Sequence, residues 1–148
     1  MQNLGLVVFD LDGTLALNEH RQHFVARPKG EKKDWTGFFD ACDLDEPNEP
    51  VILLLNHLHN LGHRVEIWSG RTDSVKEKTF FWLGENNVSY VPIKMRKGND
   101  NTPDVELKKQ WLDECDEKPI MCFDDRDSVV AMWRANDIVC LQVAPGNF

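Results

Sequence analysis

An apolar run near the start of the chain ends in two aspartates, and this feature limits the possible fold more than any other. Residues 4–9 form the run, and Asp10 and Asp12 follow it. Residues two apart on an extended chain point to the same side, so both carboxylates are expected to leave one strand tip together. Like charges held close raise each other's pKa unless a cation lies between them. The pair therefore indicates a divalent-metal site or an acid/base couple, with a simple Asx turn as the alternative.

Two later apolar runs also end in polar residues. Ile67-Trp68 runs into Ser69-Gly70-Arg71-Thr72, and Met121-Cys122-Phe123 runs into Asp124-Asp125-Arg126. Lys108 lies in a helical segment between the two runs. Each of these features alone is weak, because a turn hydroxyl and a solvated helix lysine are the ordinary interpretations. Together they place acids, a hydroxyl and an ammonium where strands end or a helix begins.

Size and composition agree with one enzyme-sized domain. The 148 residues, 41% of them hydrophobic, are enough to bury a core. No run of about 18 apolar residues is present, and the start of the chain lacks a signal-peptide pattern, so we expect a cytoplasmic protein without a membrane span. The four cysteines form no C-x-x-C pair, which favours free thiols over disulfides or a zinc site.

The net charge of −8 argues against a protein that coats long stretches of nucleic acid. The distribution of charge is more informative than its sum, because positive charge is concentrated in two clusters that follow predicted strand ends. The first cluster is Arg21, Arg27, Lys29, Lys32 and Lys33, and the second is Lys94, Arg96 and Lys97. An anionic substrate would approach the sheet at these places, although charge runs are usually solvated faces.

The order of predicted elements defines an α/β fold. After the first strand, a polar stretch over 16–50 contains no clear core strand, and alternating helices and strands follow it. The helices are expected at 50–61, 73–86, 102–114 and 127–136, and the strands at 64–68, 90–95, 120–123 and 138–143. Such alternation predicts a Rossmann-like parallel sheet with helices on both faces and a small cap inserted after the first strand. Ligands bind such sheets beyond the carboxyl ends of the strands.

In the order Asp-x-Asp-Gly-Thr, Ser, Lys and Asp-Asp, the chain resembles the haloacid dehalogenase superfamily of phosphotransferases. The resemblance implies that Asp10 is the nucleophile that forms an aspartyl-phosphate and that Asp12 is the general acid and base. It implies that Ser69 and Lys108 hold phosphoryl oxygens. It also implies a Mg²⁺ ion held by Asp10, by the backbone carbonyl of Asp12, and by the carboxylate of Asp124 or Asp125.

A finer resemblance covers nearly the whole chain. The segments that carry it are Asp34-Trp35-Thr36-Gly37-Phe38-Phe39, Asp45-Glu46-Pro47, Trp68-Ser69-Gly70-Arg71-Thr72, Met95-Arg96, Asp124-Asp125-Arg126, Met132-Trp133-Arg134 and Gln142-Val143-Ala144. Together they are similar to the 3′-phosphatase domain of bacteriophage-type polynucleotide kinase/phosphatase. This resemblance implies further roles for four residues. Arg21, Arg71 and Arg96 would bind substrate phosphate, and Asp104, one turn before Lys108, would orient that ammonium. We also assign Thr14 and Gly70 to substrate binding.

The resemblance implies a phosphomonoesterase that removes 3′-phosphates from polynucleotide ends or nucleotides. A 5′-mononucleotide or other small-molecule phosphatase is the alternative within the same chemistry. A phospho-relay receiver is a different class that also uses acids, a hydroxyl and a lysine, but receivers place the phosphorylated aspartate on a middle strand and here it is on the first. The sequence contains no G-x-x-x-x-G-K-[ST], so we expect a single domain over 1–148 without a kinase module.

The polar insertion at 16–50 should return over the carboxyl end of the sheet. This would place Arg21 and the lysines that follow it at the rim of the site and outside its catalytic centre. Within the insertion, Trp35, Phe38 and Phe39 have the i, i+3, i+4 spacing of a helical core stripe, and we expect at least two of them to be core. A base-stacking platform is the alternative for these rings.

Overall fold

A computed structural model of the protein describes residues 3–148. Five parallel strands form the main sheet in the order β5-β4-β1-β6-β7, and β2 and β3 form a separate antiparallel pair. The strands are β1 (Leu6–Phe9), β2 (Ala16–Leu17), β3 (Glu46–Pro47), β4 (Arg64–Thr72), β5 (Ile93–Arg96), β6 (Met121–Asp124) and β7 (Val139–Gln142). The apolar run that precedes Asp10 is therefore the central strand of the sheet, hydrogen-bonded on both sides.

Helices cover both faces of this sheet. They are α1 (Trp35–Asp40), α2 (Glu49–Asn60), α3 (Lys76–Glu85), α4 (Asp104–Glu114) and α5 (Asp127–Ala135). Val7 and Phe9 of β1 belong to a core cluster with residues of α2 and α3, and Leu6 and Val8 belong to a second cluster with residues of α5. This alternation follows from the two-residue period of a strand that is buried on both faces. The predicted α/β Rossmann-like sheet with helices on both faces is confirmed.

Local signals account for several of the element boundaries. Pro50 lies in the first turn of α2, where its missing N–H costs no hydrogen bond, and Gly62 follows the helix with a positive φ of 102°. Strand β4 is longer than predicted and reaches Thr72, because it pairs with β5 through a register shift between Ser69 and Thr72. A bulge of this kind redirects side chains at a strand end.

The insertion over 16–50 is ordered into short elements. Strands β2 and β3 pair with each other, and between them lie the helix α1 and two short 3₁₀ helices, Glu19–Phe24 and Cys42–Leu44. The helical spacing of Trp35, Phe38 and Phe39 agrees with α1. The other elements are too short to produce a periodic hydrophobic signal, which explains why the pattern did not predict them.

Two further expectations can be compared with the fold. All four cysteines are free thiols, three of them buried, which agrees with the prediction from their spacing. Among residues 3–148, no helix combines the length and the apolar character needed to cross a membrane.

Candidate active site

The candidate site lies at the carboxyl ends of three neighbouring strands. Asp10 follows β1, Ser69 lies near the end of β4, and Asp124 is the last residue of β6. The backbone N–H of Asp10 still donates to the Phe123 carbonyl at 2.9 Å, so the ladder between β1 and β6 continues to the site. Because Asp10 extends the alternation of Leu6 and Val8, its side chain is directed to the face that α4 covers.

Three buried carboxylates and one ammonium form the centre of the site. The Lys108 Nζ donates to Asp10 Oδ1 and to Asp124 Oδ2, both at 2.8 Å, and Thr14 Oγ1 donates to Asp10 Oδ2 at 3.0 Å. Asp10, Asp124 and Asp125 each offer an oxygen, and these oxygens lie within 4.8 Å of one another. The cluster therefore carries two negative charges more than Lys108 neutralises.

The environment of this cluster disfavours its ionised form. Burial, followed by the charge of Asp124, raises the pKa of Asp10 well above its ordinary value, although Lys108 opposes the shift. Burial and the charge of Asp124 also raise the pKa of Asp125 to about 6. Burial would lower the pKa of Lys108, but its two carboxylate partners outweigh this effect and raise it.

The donor set fits Mg²⁺. Mg²⁺ prefers carboxylate oxygens as ligands, and the three carboxylate oxygens, within 4.8 Å of one another, are close enough for all three to contact one ion. A divalent cation would also balance the two excess negative charges of the cluster.

Gly13 allows the cluster to be compact. Its φ of +81° lies in the left-handed region, and a Cβ at this position would overlap the carboxylate of Asp125. The turn that follows β1 is closed by the Gly13 N–H, which donates to the Ala16 carbonyl at 2.8 Å. A glycine is thus required by both the backbone conformation and the close approach of Asp125.

Asp12 lies in different surroundings from Asp10. Its carboxylate accepts hydrogen bonds from Arg71 Nη2 at 2.8 Å, Arg71 Nε at 3.1 Å, and Arg21 Nη2. Asp45 completes the group by accepting from Arg21 Nε at 2.8 Å and from Arg71 Nη2 at 3.1 Å. The two carboxylates of the Asp-x-Asp motif therefore have different hydrogen-bond partners.

The two arginines keep Asp12 ionised. Burial alone would raise the pKa of Asp12, but the charges of Arg71 and Arg21 and the hydrogen bonds from them lower it to about 2. Asp12 retains 21% of its side-chain exposure, whereas the side chains of Arg21, Arg71 and Asp45 are completely buried. One carboxylate of a buried four-member ion network is therefore accessible from solvent.

Arg21 contradicts the prediction that it lies at the rim of the site. It is fully buried, and besides its two carboxylate partners it donates to the Phe38 carbonyl at 3.2 Å. The cations that the sequence grouped with it, Arg27, Lys29, Lys32 and Lys33, are exposed. Arg21 lies inside because it joins Asp12 to Asp45, a tertiary pairing that a count of basic residues does not reveal.

Arg96 and Asp104 bind each other, and among residues 3–148 Lys108 donates to Asp10 and Asp124 and not to Asp104. Arg96 Nη2 donates to Asp104 Oδ1 at 2.6 Å, and Arg96 Nε donates to the Gly70 carbonyl at 2.9 Å. Asp104 also lies 3.6 Å from Arg126 Nη1. The Lys108 ammonium points to the acidic cluster, one turn further along α4. Arg96 thus anchors the loop before α4 to the end of β4.

Ser69 and Gly70 lie where the strand end requires small residues. Ser69 is fully buried, and its Oγ accepts the backbone N–H of Arg71 at 3.1 Å. A Cβ on Gly70 would overlap the carboxylate of Asp104. These contacts hold the bulged end of β4 between the arginine network and α4.

Asp45 and Thr79 are members of the network that sequence reasoning missed. Asp45 lies in the acidic stretch 40–49, which has the composition of a solvated face. Thr79 lies on α3 and accepts a hydrogen bond from Arg71 Nη1 at 3.0 Å. The family segment Asp45-Glu46-Pro47 is the one sequence signal that points to Asp45, and Thr79 has no such signal.

The fold and the site define a phosphatase of the haloacid dehalogenase class. The sequence profile of the polynucleotide kinase PNKP phosphatase domain matches residues 5–148, and the chain belongs to that family. The resemblance inferred from the sequence motifs is confirmed.

Solved structures agree with this assignment. The chain is similar to a protein of the Pnkp1/Rnl/Hen1 RNA repair complex, with 31% identity and a TM-score of 0.80, and the match covers 98% of this chain and 44% of that one. A second structure of the Pnkp1/Rnl/Hen1 complex matches with 31% identity and a TM-score of 0.78, over 97% of this chain and 47% of that one. The chain therefore spans less than half the length of these relatives.

More distant structures share the fold. The Class C acid phosphatase from Bacillus anthracis with tungstate bound has 18% identity and a TM-score of 0.65, over 87% of this chain and 54% of that one. A haloacid dehalogenase-like hydrolase from Streptococcus pneumoniae has 15% identity and a TM-score of 0.65, over 93% of this chain and 83% of that one.

Proposed function

We propose that this chain removes 3′-phosphates from polynucleotide ends or nucleotides, in a Mg²⁺-dependent reaction that passes through an aspartyl-phosphate on Asp10. The observation that carries the proposal is the division of the Asp-x-Asp pair. Asp10 lies in a carboxylate cluster beside Lys108, and Asp12 lies between two arginines. Covalent phosphatase chemistry requires a nucleophile and a separate proton carrier, and the two carboxylates have separate sets of partners from which the two roles could be served.

In the first step, a carboxylate oxygen of Asp10 attacks phosphorus and the bond from phosphorus to the 3′ oxygen breaks. The departing oxygen takes a proton from Asp12 and becomes the 3′-hydroxyl. Asp12 is ionised in this structure, with a pKa of about 2. A bound phosphate dianion would raise the pKa of Asp12 through repulsion between like charges and through competition for Arg21 and Arg71. Protonation of Asp12 is therefore coupled to substrate binding.

In the second step, water attacks the phosphorus of the aspartyl-phosphate and the bond to Asp10 breaks, which releases inorganic phosphate. The water proton passes to Asp12, whose ionised form is the one that Arg71 and Arg21 stabilise. Lys108, together with the Ser69 hydroxyl, would bind phosphoryl oxygens as they gain charge. The arginine network thus favours the base form that this step requires.

Asp10, the backbone carbonyl of Asp12, and Asp124 or Asp125 would hold the Mg²⁺ ion. The ion would neutralise charge between the phosphoryl group and the carboxylates, which otherwise repel each other. Thr14 positions Asp10 through its hydroxyl. Arg96 and Asp104 fix the loop that leads into α4, and they therefore set the position of Lys108.

The 3′-end substrate is proposed from the family. The matching profile describes a polynucleotide kinase phosphatase domain, and two similar structures belong to an RNA repair complex. RNA ends are accordingly included with DNA ends as candidate substrates.

The substrate proposal is tested by measuring phosphate release from a matched panel. The panel contains one oligonucleotide sequence as DNA and as RNA, each with a 3′- or a 5′-phosphate, and the corresponding 3′- and 5′-mononucleotides. We expect kcat/KM to be at least about tenfold higher for 3′-phosphorylated substrates, a difference of about 1.4 kcal/mol in transition-state stabilisation. A preference for 5′-mononucleotides would overturn the proposal in favour of a small-molecule phosphatase.

The metal proposal is tested separately with chelator. EDTA should abolish activity and excess Mg²⁺ should restore it, because three buried carboxylates repel a phosphate that reaches them without a cation. Thermal unfolding gives a readout besides activity, since Mg²⁺ that binds the folded state should raise Tm. Full activity in EDTA, with no change of Tm on addition of Mg²⁺, would exclude the metal site.

A further inference from the structure

The insertion presents an exposed aromatic ring on a packed base. Trp35, the first residue of α1, is 49% exposed. Its ring contacts Phe38 edge-on with centroids 5.7 Å apart and lies nearly parallel to Phe39 at 6.0 Å. Of these three rings only Phe38 is buried, so the expectation that at least two of them are core is wrong. The alternative of a base-stacking platform gains support. The two phenylalanines hold the indole in place while about half of Trp35 remains open to solvent.

A continuous chain of contacts joins this ring to the catalytic centre. The Phe38 ring lies under the guanidinium of Arg21, whose central carbon is 4.3 Å from the ring centroid. Arg21 in turn donates to Asp12. Helix α1 therefore packs against the active-site network with one side and presents Trp35 with another. Two packed side chains, Phe38 and Arg21, thus connect the exposed ring to Asp12.

The segment before the ring is rich in basic residues, with the acidic N-cap Asp34 between it and Trp35. Lys33 Nζ lies 5.7 Å from the centroid of the Trp35 ring. The segment 27–33 just before α1 carries four basic residues and one acidic residue, in a chain with a net charge of −8. All four basic residues are exposed, so their charges are available to a ligand. An aromatic face beside a basic segment matches the chemistry of single-stranded nucleic acid, which offers stacking bases and a phosphate backbone.

We infer that Trp35 stacks on a nucleobase near the 3′ end of the substrate strand while the basic segment 27–33 contacts the adjoining phosphates. The inference rests on the proposed function and adds a recognition subsite to it. Trp35 would thereby distinguish a polynucleotide end from a phosphomonoester that lacks a base.

The first test compares variants of the exposed ring. Trp35→Ala should raise KM for a 3′-phosphorylated oligonucleotide by about tenfold or more, with little change in kcat, because stacking of one base on an aromatic ring accounts for a loss of this size. The same variant should hydrolyse p-nitrophenyl phosphate with unchanged kcat/KM. Trp35→Phe should restore most of the oligonucleotide affinity. Tyr90→Ala is the matched control, since Tyr90 is an aromatic residue with 89% exposure at the amino end of β5.

The second test removes a base from the substrate. Oligonucleotides that lack the base at the last, second-last or third-last nucleotide are assayed with wild-type protein and with Trp35→Ala. At the position that Trp35 recognises, removal of the base should raise KM for the wild type and have no additional effect in Trp35→Ala. Additive effects at every position would show that Trp35 only supports the packing of α1 and would overturn the inference.

The outcomes separate this inference from the proposed function. If the wild type fails to hydrolyse 3′-phosphorylated oligonucleotides, the proposed function and the subsite are both rejected. If it hydrolyses them and Trp35→Ala loses activity equally on p-nitrophenyl phosphate, the subsite alone is rejected. Quenching of indole fluorescence by an unphosphorylated oligonucleotide, present in the wild type and absent in Trp35→Phe, is expected from stacking and does not depend on turnover.

Discussion

Asp10 and Asp12 show how neighbouring residues of the same type acquire different properties from their partners. Asp10 lies among carboxylates with one ammonium, and its pKa is raised, first by burial and then by Asp124. Asp12 lies between Arg71 and Arg21, which lower its pKa to about 2 despite burial. These surroundings alone favour a protonated Asp10 and an ionised Asp12, so the proposed roles require a cation that lowers the pKa of Asp10.

The nucleophile can be tested with an isosteric substitution. Asp10→Asn keeps the shape of the side chain but removes the attacking charge, so kcat/KM should fall by about three orders of magnitude or more. The midpoint of urea unfolding should not decrease, because the substitution relieves repulsion with Asp124 and Asp125. Asp113→Asn, at an exposed acid of α4, is the control and should leave both quantities unchanged. A folded Asp10→Asn protein with turnover close to that of the wild type would rule out the covalent mechanism.

Asp45 tests whether the buried ion network is needed to position Asp12. Asp45→Asn removes the carboxylate that Arg21 and Arg71 share, and we expect it to lower the free energy of unfolding by about 3 kcal/mol, since uncompensated buried charges remain. Phosphatase activity should fall as well, because both arginines lose the partner that fixes their orientation toward Asp12.

His20 supplies the matched control for that substitution. Its Nε2 also contacts Asp45, at 2.7 Å, but its side chain is 37% exposed. We therefore expect His20→Ala to change the free energy of unfolding by less than about 1 kcal/mol. Urea titrations of both variants, with kinetics on one 3′-phosphorylated oligonucleotide, give the comparison. Equal stability of the two variants would contradict a central role for Asp45.

At the residue scale, the sequence identified the charged side chains at the centre of the site better than it predicted which residues are buried. The acids and the lysine that form the centre of the site were identified, because charged residues directly after apolar strands have few structural reasons to be there. The partners of the arginines were not, since buried ion pairs join residues far apart in the chain. Arg21 and Asp45 are 24 positions apart, and neither has a local pattern that marks it as buried.

At the scale of elements, the turn after β1 allows the close approach of Asp125 in the carboxylate cluster. Gly13→Ala introduces left-handed strain of roughly 1–2 kcal/mol and also pushes the Asp125 carboxylate out of the cluster. Gly30 separates the two effects, because its φ is +95° and an added Cβ there meets nothing within 4 Å. We expect both alanine variants to lose similar stability from strain, but only Gly13→Ala to lose activity and affinity for Mg²⁺. Chemical unfolding and Mg²⁺ titrations of activity measure these quantities, and equal activity of the two variants would refute the argument.

The main elements were predictable because their signals are local. The apolar runs of β1, β4 and β6 and the amphipathic segments of α2 to α5 each extend over enough residues to show a period. Apart from the spacing of the α1 rings, the insertion gave no such signal, since β2 and β3 have two residues each and are stabilised by pairing with each other across the whole insertion. Loop segments of this kind acquire their structure from tertiary contacts, and their conformation is not encoded in a short window of sequence.

In the whole molecule, the net charge is negative although positive charge is concentrated in particular segments. A chain with a net charge of −8 repels polyanions at long range, so binding of a nucleic-acid end depends on local positive charge. Arg21, Arg71 and Lys108 are engaged with buried carboxylates and contribute only within the site. Exposed positive charge remains in the basic residues of segment 27–33 and in Lys97, which directly follows β5.

This distribution predicts how activity depends on salt. Replacing Lys29, Lys32 and Lys33 by glutamine in one variant should raise KM for a 3′-phosphorylated oligonucleotide. It should also flatten the slope of log kcat/KM against log salt by up to about 2, since each phosphate of a single strand that a lysine neutralises adds about 0.7 to that slope. A 3′-mononucleotide lacks those additional phosphates and should be little affected. Lys118→Gln is the control for the loss of one exposed charge, because Lys118 precedes β6 and lies toward the amino ends of the strands, away from their carboxyl ends. Equal changes of KM for the oligonucleotide and the mononucleotide would show that the insertion does not contact the strand, and the chain would then be better described as a mononucleotide phosphatase.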